Sequence, residues 1–390
     1  MSQTEKRAYY FAIKDRYLKA TKKEKSIILN EFCNVCGYNK KYAIRLLNKV
    51  EPKIKFKKAP GKKKIYSSEK LLEVLKVIWT AADFTCSKRL KAVISFWLPH
   101  YEITYGILDK KIRSQLLTIS PSTLDRILKT TRLNTKKGLF GTKPGTLLKN
   151  QIPIRTDNWD INKPGFMEAD TVAHGGNSTQ GDFIWSLTMT DIHTGWTENR
   201  AVWNKGALGV LKQIQSIENA IPFPLLGFDC DNGSEFLNYH LLKYFAENGK
   251  NTAFTRSRPN KKNDNAHVEQ KNWTQVRNLF GYDRLDDEGL VPLMNDLYSK
   301  EWSLYTNFFK PSQKLIEKIK VGSKYKRKYD IPKTPYLRVI ESDFVADEKK
   351  HELHKIFNNL NPFELKVSID RKLKNIFKNI SVTSNVRKRI

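Results

Sequence analysis

Three acidic residues in the middle of the chain have the types and spacing needed for metal-assisted chemistry on phosphate esters. Asp170 lies in the string FMEADTVAH, Asp231 in FDCDNGSEF and Glu269 in NDNAHVEQKNW. Three carboxylates brought together repel one another unless they bind divalent cations, and Mg²⁺ prefers oxygen ligands completed by water or phosphate. Two such ions about 4 Å apart would deprotonate an attacking hydroxyl and stabilise the leaving oxygen of a phosphodiester. The trio therefore predicts a two-ion Mg²⁺ site, provided that the fold brings the acids together.

Neighbouring residues compete for the same roles. Glu168 and Asp170 lie two residues apart, as do Asp229 and Asp231, so each pair shares one face of a strand. Asp231 is favoured over Asp229 because an Asn-Gly turn follows it directly and places it where the strand ends. Spacing alone does not decide between Asp170 and Glu168. His174 is either a group that approaches a phosphate or a loop histidine without a role.

The segments around these acids predict an α/β core over residues 151–285. GFMEADTVAH, DFIWSLTMTDI and WTENRAVW are rich in β-branched and aromatic residues and predict three consecutive strands. Two predicted helices, GALGVLKQIQSIENA and EFLNYHLLKYFAENG, then alternate with two strands, PLLGFDCDNG and NTAFTRS. Asn263 or Asp264 caps a last helix, which carries Glu269. The order β-β-β-α-β-α-β-α predicts an antiparallel meander followed by crossover units, and therefore a mixed five-stranded sheet with flanking helices.

Charge separates this core from its flanks. The 390 residues include 70 Lys and Arg against 40 Asp and Glu, a net charge of +30. The net charge is +23 over residues 1–150, −1 over 151–285 and +8 over 286–390. Basic flanks are suited to phosphate contacts, so we expect double-stranded DNA as the partner, with an anionic membrane as the competing polyanion.

Several classes of protein are excluded by what the sequence lacks. No run of 18 apolar residues predicts a membrane span, and the first 20 residues lack the apolar stretch of a signal peptide. Four cysteines are too few for a disulfide framework. We therefore expect a cytoplasmic, nucleoid-associated protein with no membrane partner.

The beginning of the basic segment predicts a helix-turn-helix domain over residues 1–52. A helix ends near Gly37, and Asn39 caps a second, basic helix, KKYAIRLLNKV. Residues 53–66 predict a basic linker, in which Lys62, Lys63 and Lys64 either enter a minor groove or are simply solvated.

A second helical DNA-binding domain is predicted over residues 67–150, and a small C-terminal domain follows the core. Ser120 and Pro121 begin the candidate recognition helix SPSTLDRILKTTR, which carries Arg126 as a DNA contact. Residues 286–390 predict a basic region of helices and loops, in which KVGSKYKRKYD is a loop.

The strings FMEADTVAH, FDCDNGSEF and NDNAHVEQKNW together resemble the integrase catalytic core of Asp-Asp-Glu transposases and retroviral-type integrases. Sixty residues separate Asp170 from Asp231, and 37 separate Asp231 from Glu269; both spacings are similar to those of the family. RSRPNKKND and TGWTENRAV resemble the bacterial insertion-sequence branch. Over about residues 160–285 the resemblance implies an RNase H-like fold, with Asp170, Asp231 and Glu269 as catalytic residues and as ligands of Mg²⁺ or Mn²⁺.

The resemblance also implies a function and a set of DNA contacts. The expected protein is a transposase or integrase that binds the ends of a mobile DNA element and cleaves and transfers strands, as a homo-oligomer on DNA. The alternatives are a non-catalytic helix-turn-helix regulator on an integrase-like core, or an RNase H-like nuclease. The expected DNA contacts near the site are Arg256, Arg258, Lys261, Lys262, Lys271, Asn272 and Arg277. The first four either grip phosphates or form a solvated loop.

Two features of the sequence depart from the pattern of relatives. Trp273 stands where some relatives have lysine, so we expect that role to pass to Lys271 or Arg277. Cys33 and Cys36 have no histidine upstream, so they predict buried helix cysteines rather than the zinc module of retroviral integrases.

Overall fold

The computed structural model describes residues 1–49, 65–134, 162–178, 180–230, 235–236, 238–246, 252–256, 266–321 and 323–387. The chain forms two compact units, Met1–Ile65 and Tyr66–Ile390. The first eight helices are α1 (Gln3–Lys19), α2 (Lys22–Cys36), α3 (Lys40–Leu47), α4 (Glu69–Ala81), α5 (Ser87–Tyr105), α6 (Lys110–Thr118), α7 (Pro121–Ile127) and α8 (Lys129–Asn134).

Strands and helices then alternate through the rest of the second unit. The strands are β1 (Phe166–Ala173), β2 (Ile184–Asp191), β3 (Thr197–Trp203), β4 (Gly227–Cys230), β5 (Ala253–Arg256), β6 (Leu315–Val321) and β7 (Lys324–Tyr329). The helices are α9 (Ala207–Glu218), α10 (Tyr239–Ala246), α11 (Ala266–Lys271), α12 (Asn278–Phe280), α13 (Leu290–Leu297), α14 (Ser303–Phe309), α15 (Pro335–Ile340), α16 (Asp347–Asn358) and α17 (Pro362–Arg387), with π-helical turns at Asn272–Arg277 and Tyr298–Trp302.

The first unit is a three-helix bundle with its own core, in which Phe32, Ala43 and Leu47 are fully buried. Gly37 ends α2 with a φ of +65°, a left-handed conformation that favours glycine. The Asn39 side chain accepts a hydrogen bond from the Lys41 backbone N–H at 3.0 Å and caps α3. The predicted turn and cap are therefore present, and α3 presents its basic residues to solvent.

The central sheet of the second unit has the order β3-β2-β1-β4-β5. β1 pairs antiparallel with β2, and β2 with β3, whereas β1 pairs parallel with β4, and β4 with β5. The predicted mixed five-stranded sheet with flanking helices is confirmed. Because β1 is central, it is hydrogen-bonded to a strand on each side, which suits a strand that must hold acids in fixed positions.

The outer edge of β3 is closed by two asparagine side chains. Asn295 accepts from the Ala201 N–H at 2.7 Å and donates to its carbonyl oxygen at 2.9 Å. Asn307 does the same at Thr197, with both distances 2.9 Å. Each primary amide therefore replaces one residue of a neighbouring strand, and this edge offers fewer free backbone groups to another chain.

Side chains from the helical, sheet and C-terminal segments share one hydrophobic core. Trp97 of α5 is fully buried, and its ring meets Phe363 of α17 and Phe309 of α14 edge-on. The sequence boundaries at 150 and 285 remain predictions; packing unites the described parts of these segments into one unit. No helix among the described residues is long and apolar enough to cross a bilayer.

The segment predicted as the basic loop KVGSKYKRKYD is not a loop. Most of its residues lie in β6 and β7, which form a separate two-stranded antiparallel sheet. The prediction was wrong because the alternation of basic with apolar or aromatic residues, broken by Gly-Ser, is the pattern of a hairpin rather than of a solvated loop.

Candidate active site

Two acids of β1 lie on the same face of the central strand but in different surroundings. Glu168 is buried, with 3% of the residue's surface exposed, whereas Asp170 is half-buried. Their separation of two residues puts both carboxylates on the face against which α11 packs. Asp170 is the more accessible of the two, so it is the better candidate for a group that reaches a substrate.

Strand β4 brings the second predicted acid to the same part of the sheet. Cys230, the last residue of β4, pairs with Ala169, and Asp229 pairs with Glu168. Asp229 is buried and accepts a hydrogen bond from the Thr255 hydroxyl at 2.7 Å. Asp231 follows Cys230 directly in the chain and lies outside the described residues, so its placement beside Asp170 remains a prediction.

The helix that carries Glu269 is tied to β1 at two points. The Val268 backbone N–H, in the first turn of α11, donates to the Glu168 Oε2 at 3.0 Å. The Asn272 Nδ2, one residue beyond α11, donates to the Asp170 Oδ2 at 2.6 Å. Glu269 lies between these two ties and is itself exposed. Since residues three apart on a helix are neighbours, Glu269 lies beside Asn272, whose amide contacts Asp170.

The Asp170 carboxylate is oriented by donors on both oxygens. Its Oδ1 accepts from the Thr171 backbone N–H at 2.8 Å, while its Oδ2 accepts from Asn272. Hydrogen bonds from amides favour the charged carboxylate and fix its rotamer. A carboxylate held in this way retains lone pairs for a cation.

The donor chemistry fits Mg²⁺ or Mn²⁺, because Asp170 and Glu269 offer only carboxylate oxygens. Among the described residues, no group of three His, Cys, Asp or Glu side chains is close enough to hold a metal ion. A complete ligand set therefore needs a further oxygen donor, and Asp231 is the predicted one.

Three of the predicted DNA contacts near Glu269 instead hold its helix in place. The Lys271 Nζ donates to the Gly195 carbonyl oxygen at 3.1 Å, and desolvation with neighbouring positive charge lowers the pKa of Lys271 to about 7. Asn272 is buried. Arg277 donates to the Ala173 carbonyl oxygen at 2.9 Å. None of the three is presented as an exposed side chain, and Trp273, at the position where some relatives have lysine, is partly exposed.

The other predicted DNA contacts are divided between exposed and undescribed positions. Arg126 is exposed on α7, where its guanidinium donates to the Thr123 hydroxyl at 3.1 Å. Arg256 ends β5, although its side chain is outside the described part of the chain. The remaining predicted contacts, which lie wholly outside the described residues, are Arg258, Lys261, Lys262, Lys62, Lys63 and Lys64.

His174 is a core residue and cannot approach a phosphate in this structure. It is fully buried, with its Nε2 2.8 Å from the Ser186 Oγ, which in turn lies 2.8 Å from the Tyr298 hydroxyl. Burial lowers the pKa of His174 to about 3, so the ring is neutral at pH 7. Of the two interpretations of this histidine, the role at the phosphate is excluded for the described conformation.

Glu235 is a buried acid that the sequence analysis did not single out. Its Oε1 accepts from the Thr171 hydroxyl at 3.0 Å, and its Oε2 lies 3.4 Å from the Lys205 Nζ. These contacts fasten the segment that follows β4 to the strand that carries Asp170. Its place in the string FDCDNGSEF, beside the candidate ligand Asp231, was the available signal.

The two cysteines of α2 are buried or partly buried, and so are the three tryptophans in and beside β2 and β3. Cys36 is buried and Cys33 partly buried, and both are free thiols. Trp196 is buried and donates to the Glu198 carboxylate at 3.0 Å. Trp185 and Trp203 are partly buried in β2 and β3.

Comparison with known proteins gives a clear sequence relative. An uncharacterized protein of Sinorhizobium fredii (strain NBRC 101917 / NGR234), y4rM, is 37% identical over 334 residues, which cover 84% of this chain and 93% of y4rM. No family model matches the chain.

Similar solved structures include integrase catalytic core domains. That of HTLV-2 in complex with magnesium, in its dimeric form, has 13% identity and a TM-score of 0.28, over 38% of this chain and 90% of that one. That of BIV has 13% identity and a TM-score of 0.27, over 50% and 98%. Likenesses of this size carry no functional conclusion, which depends instead on the strand order and side chains of this chain.

Removing the acceptor on Glu168 should loosen α11. In Glu168→Ala the Val268 N–H loses its partner, at a cost of about 1–3 kcal/mol for an unsatisfied buried donor. We expect amide hydrogen exchange of residues 266–272 to accelerate by about 5-fold or more. Glu168→Gln keeps an acceptor oxygen and should retain most of the protection of these amides from exchange. Equal exchange in Glu168→Ala and the parent would show that the bond does not hold the helix.

Acid should destabilise the second unit through His174. Because its folded-state pKa lies near 3, below the ordinary value of about 6.5, only the unfolded chain binds the proton between these values. Stability is therefore complete above pH 6.5 and falls as the pH drops, by about 2 kcal/mol at pH 5. We expect the apparent Tm to fall less between pH 7.5 and 5 in His174→Gln than in the parent. His351→Gln, at an exposed histidine, should behave like the parent.

Proposed function

The chain belongs to the same family as y4rM of Sinorhizobium fredii, and we propose that it is a transposase or integrase of the Asp-Asp-Glu type, with an RNase H-like core. It binds the ends of a mobile DNA element and catalyses metal-dependent strand cleavage and strand transfer. One observation carries the proposal: Asp170 at the centre of the sheet is hydrogen-bonded to the helix segment that bears Glu269, while β4, which leads directly into Asp231, pairs in parallel with β1.

The residues proposed to hold the metal are Asp170, Asp231 and Glu269. When bound, two divalent ions supply a deprotonated nucleophile and stabilise the charge on the leaving oxygen. The chain contributes the geometry: Asn272 and the Thr171 N–H orient the Asp170 carboxylate, while Glu168 holds the first turn of α11. Preorganised donors of this kind avoid reorganisation during the reaction.

Duplex DNA is the proposed substrate because strongly basic segments precede and follow the near-neutral core in the sequence. Residues 1–65 hold 19 Lys and Arg against five Asp and Glu. On α3, Lys41 and Arg45 are exposed, whereas Ala43 and Leu47 face the core. A capped basic helix after a tight turn supports a helix-turn-helix role for this unit. Arg126 of α7 is proposed to contact phosphates, and Arg256, Arg258, Lys261 and Lys262 are proposed to contact phosphates near the cut.

Joining two ends of an element requires at least two active sites held together. Each chain contains one candidate acid trio, so the proposal includes a homo-oligomer assembled on DNA. Self-repulsion at a net charge of +30 opposes association of the free protein until DNA neutralises it.

Replacing any acid of the trio should abolish cleavage but not binding. We expect Asp170→Asn, Asp231→Asn and Glu269→Gln each to lower the initial rate of end-nicking by roughly 100-fold or more, because metal stabilisation is worth several kcal/mol. The parent should require Mg²⁺ or Mn²⁺ and lose activity in chelator. Asp182→Asn, at an exposed acid, is the matched control. A variant of the trio that still nicks would remove that residue from the site, and a parent that binds without nicking would favour the non-catalytic regulator.

Neutralising α3 should weaken duplex binding and its salt dependence. The slope of log K against log salt changes by about 0.9 for each phosphate contact, so Lys41→Gln with Arg45→Gln should make it shallower by about 1.8. Lys22→Gln with Lys23→Gln removes two exposed charges from the start of α2 and should leave the slope unchanged. Fluorescence anisotropy of a labelled duplex over a salt series measures both the affinity and its salt dependence. Equal slopes in the two double variants would exclude α3 as the contact helix.

A further inference from the structure

The antiparallel hairpin formed by β6 and β7 is exposed along nearly its whole length. Every residue of β7 is exposed, and in β6 only Lys318 is partly covered. The strands pair from Leu315 with Tyr329 to Val321 with Lys324. At about 3.4 Å per residue the ribbon is roughly 20 Å long.

The hairpin carries basic residues on both faces. Directly paired residues of antiparallel strands share a face, so the register defines two sets. The first face holds Lys318, Lys320, Tyr325 and Arg327, and the second holds Glu317, Ile319, Val321, Lys324, Lys326 and Lys328. On the first face the Lys318 Nζ lies 4.5 Å from the centre of the Tyr325 ring. Six cations against one carboxylate make the ribbon a strongly basic element.

The base of the ribbon is fastened to the body of the second unit. The Asp330 carboxylate accepts from the Lys314 N–H at 2.6 Å and pairs with Arg338 of α15 at 2.7 Å. Ser312 and Lys333 exchange two backbone hydrogen bonds, at 2.9 and 3.1 Å. A fixed base makes the ribbon a projecting arm with a defined direction.

The charge and shape of the arm select its partner. Lysines along an edge strand oppose pairing with a second copy of the same ribbon. A membrane-binding element buries one apolar face, whereas this ribbon has cations on both faces. The major groove of B-DNA, about 12 Å wide, admits a two-stranded ribbon, and its walls are phosphates. Ile319 and Val321, both exposed, lie among the lysines of the second face, where they suit contact with thymine methyl groups.

We propose that the β6–β7 hairpin is a DNA-binding arm that lies in the major groove of duplex DNA, with its lysines and Arg327 on the phosphates. The inference rests on the proposed function, since it takes duplex DNA as the substrate. It adds a further basic contact region to those already proposed, and it belongs to the same compact unit as Asp170 and Glu269.

Three variants of the full chain, each lacking three positive charges, test the arm. Lys324→Gln, Lys326→Gln and Lys328→Gln neutralise the second face, and Lys318→Gln, Lys320→Gln and Arg327→Gln the first. The control removes three exposed lysines from helices elsewhere in the unit, with Lys212→Gln, Lys355→Gln and Lys374→Gln. In both hairpin triples the slope of log K against log salt should become shallower by about 2.7. The control should keep the parent's slope, and a Lys→Arg triple at 324, 326 and 328 should restore it.

Footprinting identifies the groove. Dimethyl sulfate methylates guanine N7 in the major groove and adenine N3 in the minor groove, and we expect a set of N7 protections in the parent complex to disappear in a hairpin variant. Loss of N3 protections alone would overturn the major-groove assignment. Circular dichroism and Tm should be unchanged, because five of the six substituted hairpin residues are exposed and Lys318 is only partly covered.

The results that would contradict the DNA-binding arm differ from those that would contradict the proposed function. If the parent binds and nicks duplex DNA but both hairpin triples match the control, the arm is overturned and the proposed function stands. If the parent binds duplex without nicking, the proposed function is overturned. The same salt series still tests whether the hairpin contacts DNA. Vesicles containing phosphatidylserine give the remaining outcome: hairpin triples that lose vesicle binding but keep duplex binding would overturn DNA as the occupant. A parent that binds no duplex overturns both.

Discussion

The hydrogen bond between a buried carboxylate of β1 and a backbone N–H at the start of α11 is the constraint on which the candidate site depends. The first amides of a helix have no partner within the helix, and a buried carboxylate is costly unless donors surround it. Glu168 and the Val268 N–H satisfy each other at 3.0 Å. Because the bond leaves little freedom at either end, the short helix that bears Glu269 has one position over the central strand.

The remaining contacts of this helix also hold it in its position. Asn272 reaches Asp170, Lys271 reaches the turn between β2 and β3, and Arg277 reaches the end of β1. Long basic side chains beside an acidic site suggest contacts with DNA, but here their hydrogen bonds go to backbone carbonyls. The charge on Lys271 is costly where it lies, since its surroundings lower its pKa to about 7. The basic side chains close to Glu269 thus hold its helix in position rather than contact DNA.

Contacts with a polyanion then depend on exposed cations carried by other elements. The exposed cations of α3, α7 and the β6–β7 hairpin are suited to this because each lies on an element whose opposite side or base is anchored. In α3 the anchor is the pair Ala43 and Leu47, and in the hairpin it is the ion pair between Asp330 and Arg338. Rigid support lowers the entropy lost when a basic element is ordered on DNA.

The sequence by itself determined the order of the elements. β-Branched and aromatic runs separated by turn residues predict the strands of the mixed sheet, and Gly37 and Asn39 predict the end of α2 and the start of α3, because these are local preferences of the backbone. The pairing of residues two apart also placed Glu168 and Asp170 on one face. The sequence could not decide which of the two acids reaches a substrate, since both acids have the same local pattern.

Only the tertiary structure separated the two acids and assigned the basic residues. Glu168 is buried under α11 and Asp170 remains accessible because of where a helix one hundred residues later packs. The same packing turned Lys271 and Arg277 inward, buried His174 beside Ser186, and brought Glu235 to Thr171. Burial and hydrogen-bond partners of this kind depend on long-range contacts, which residue type and spacing do not encode.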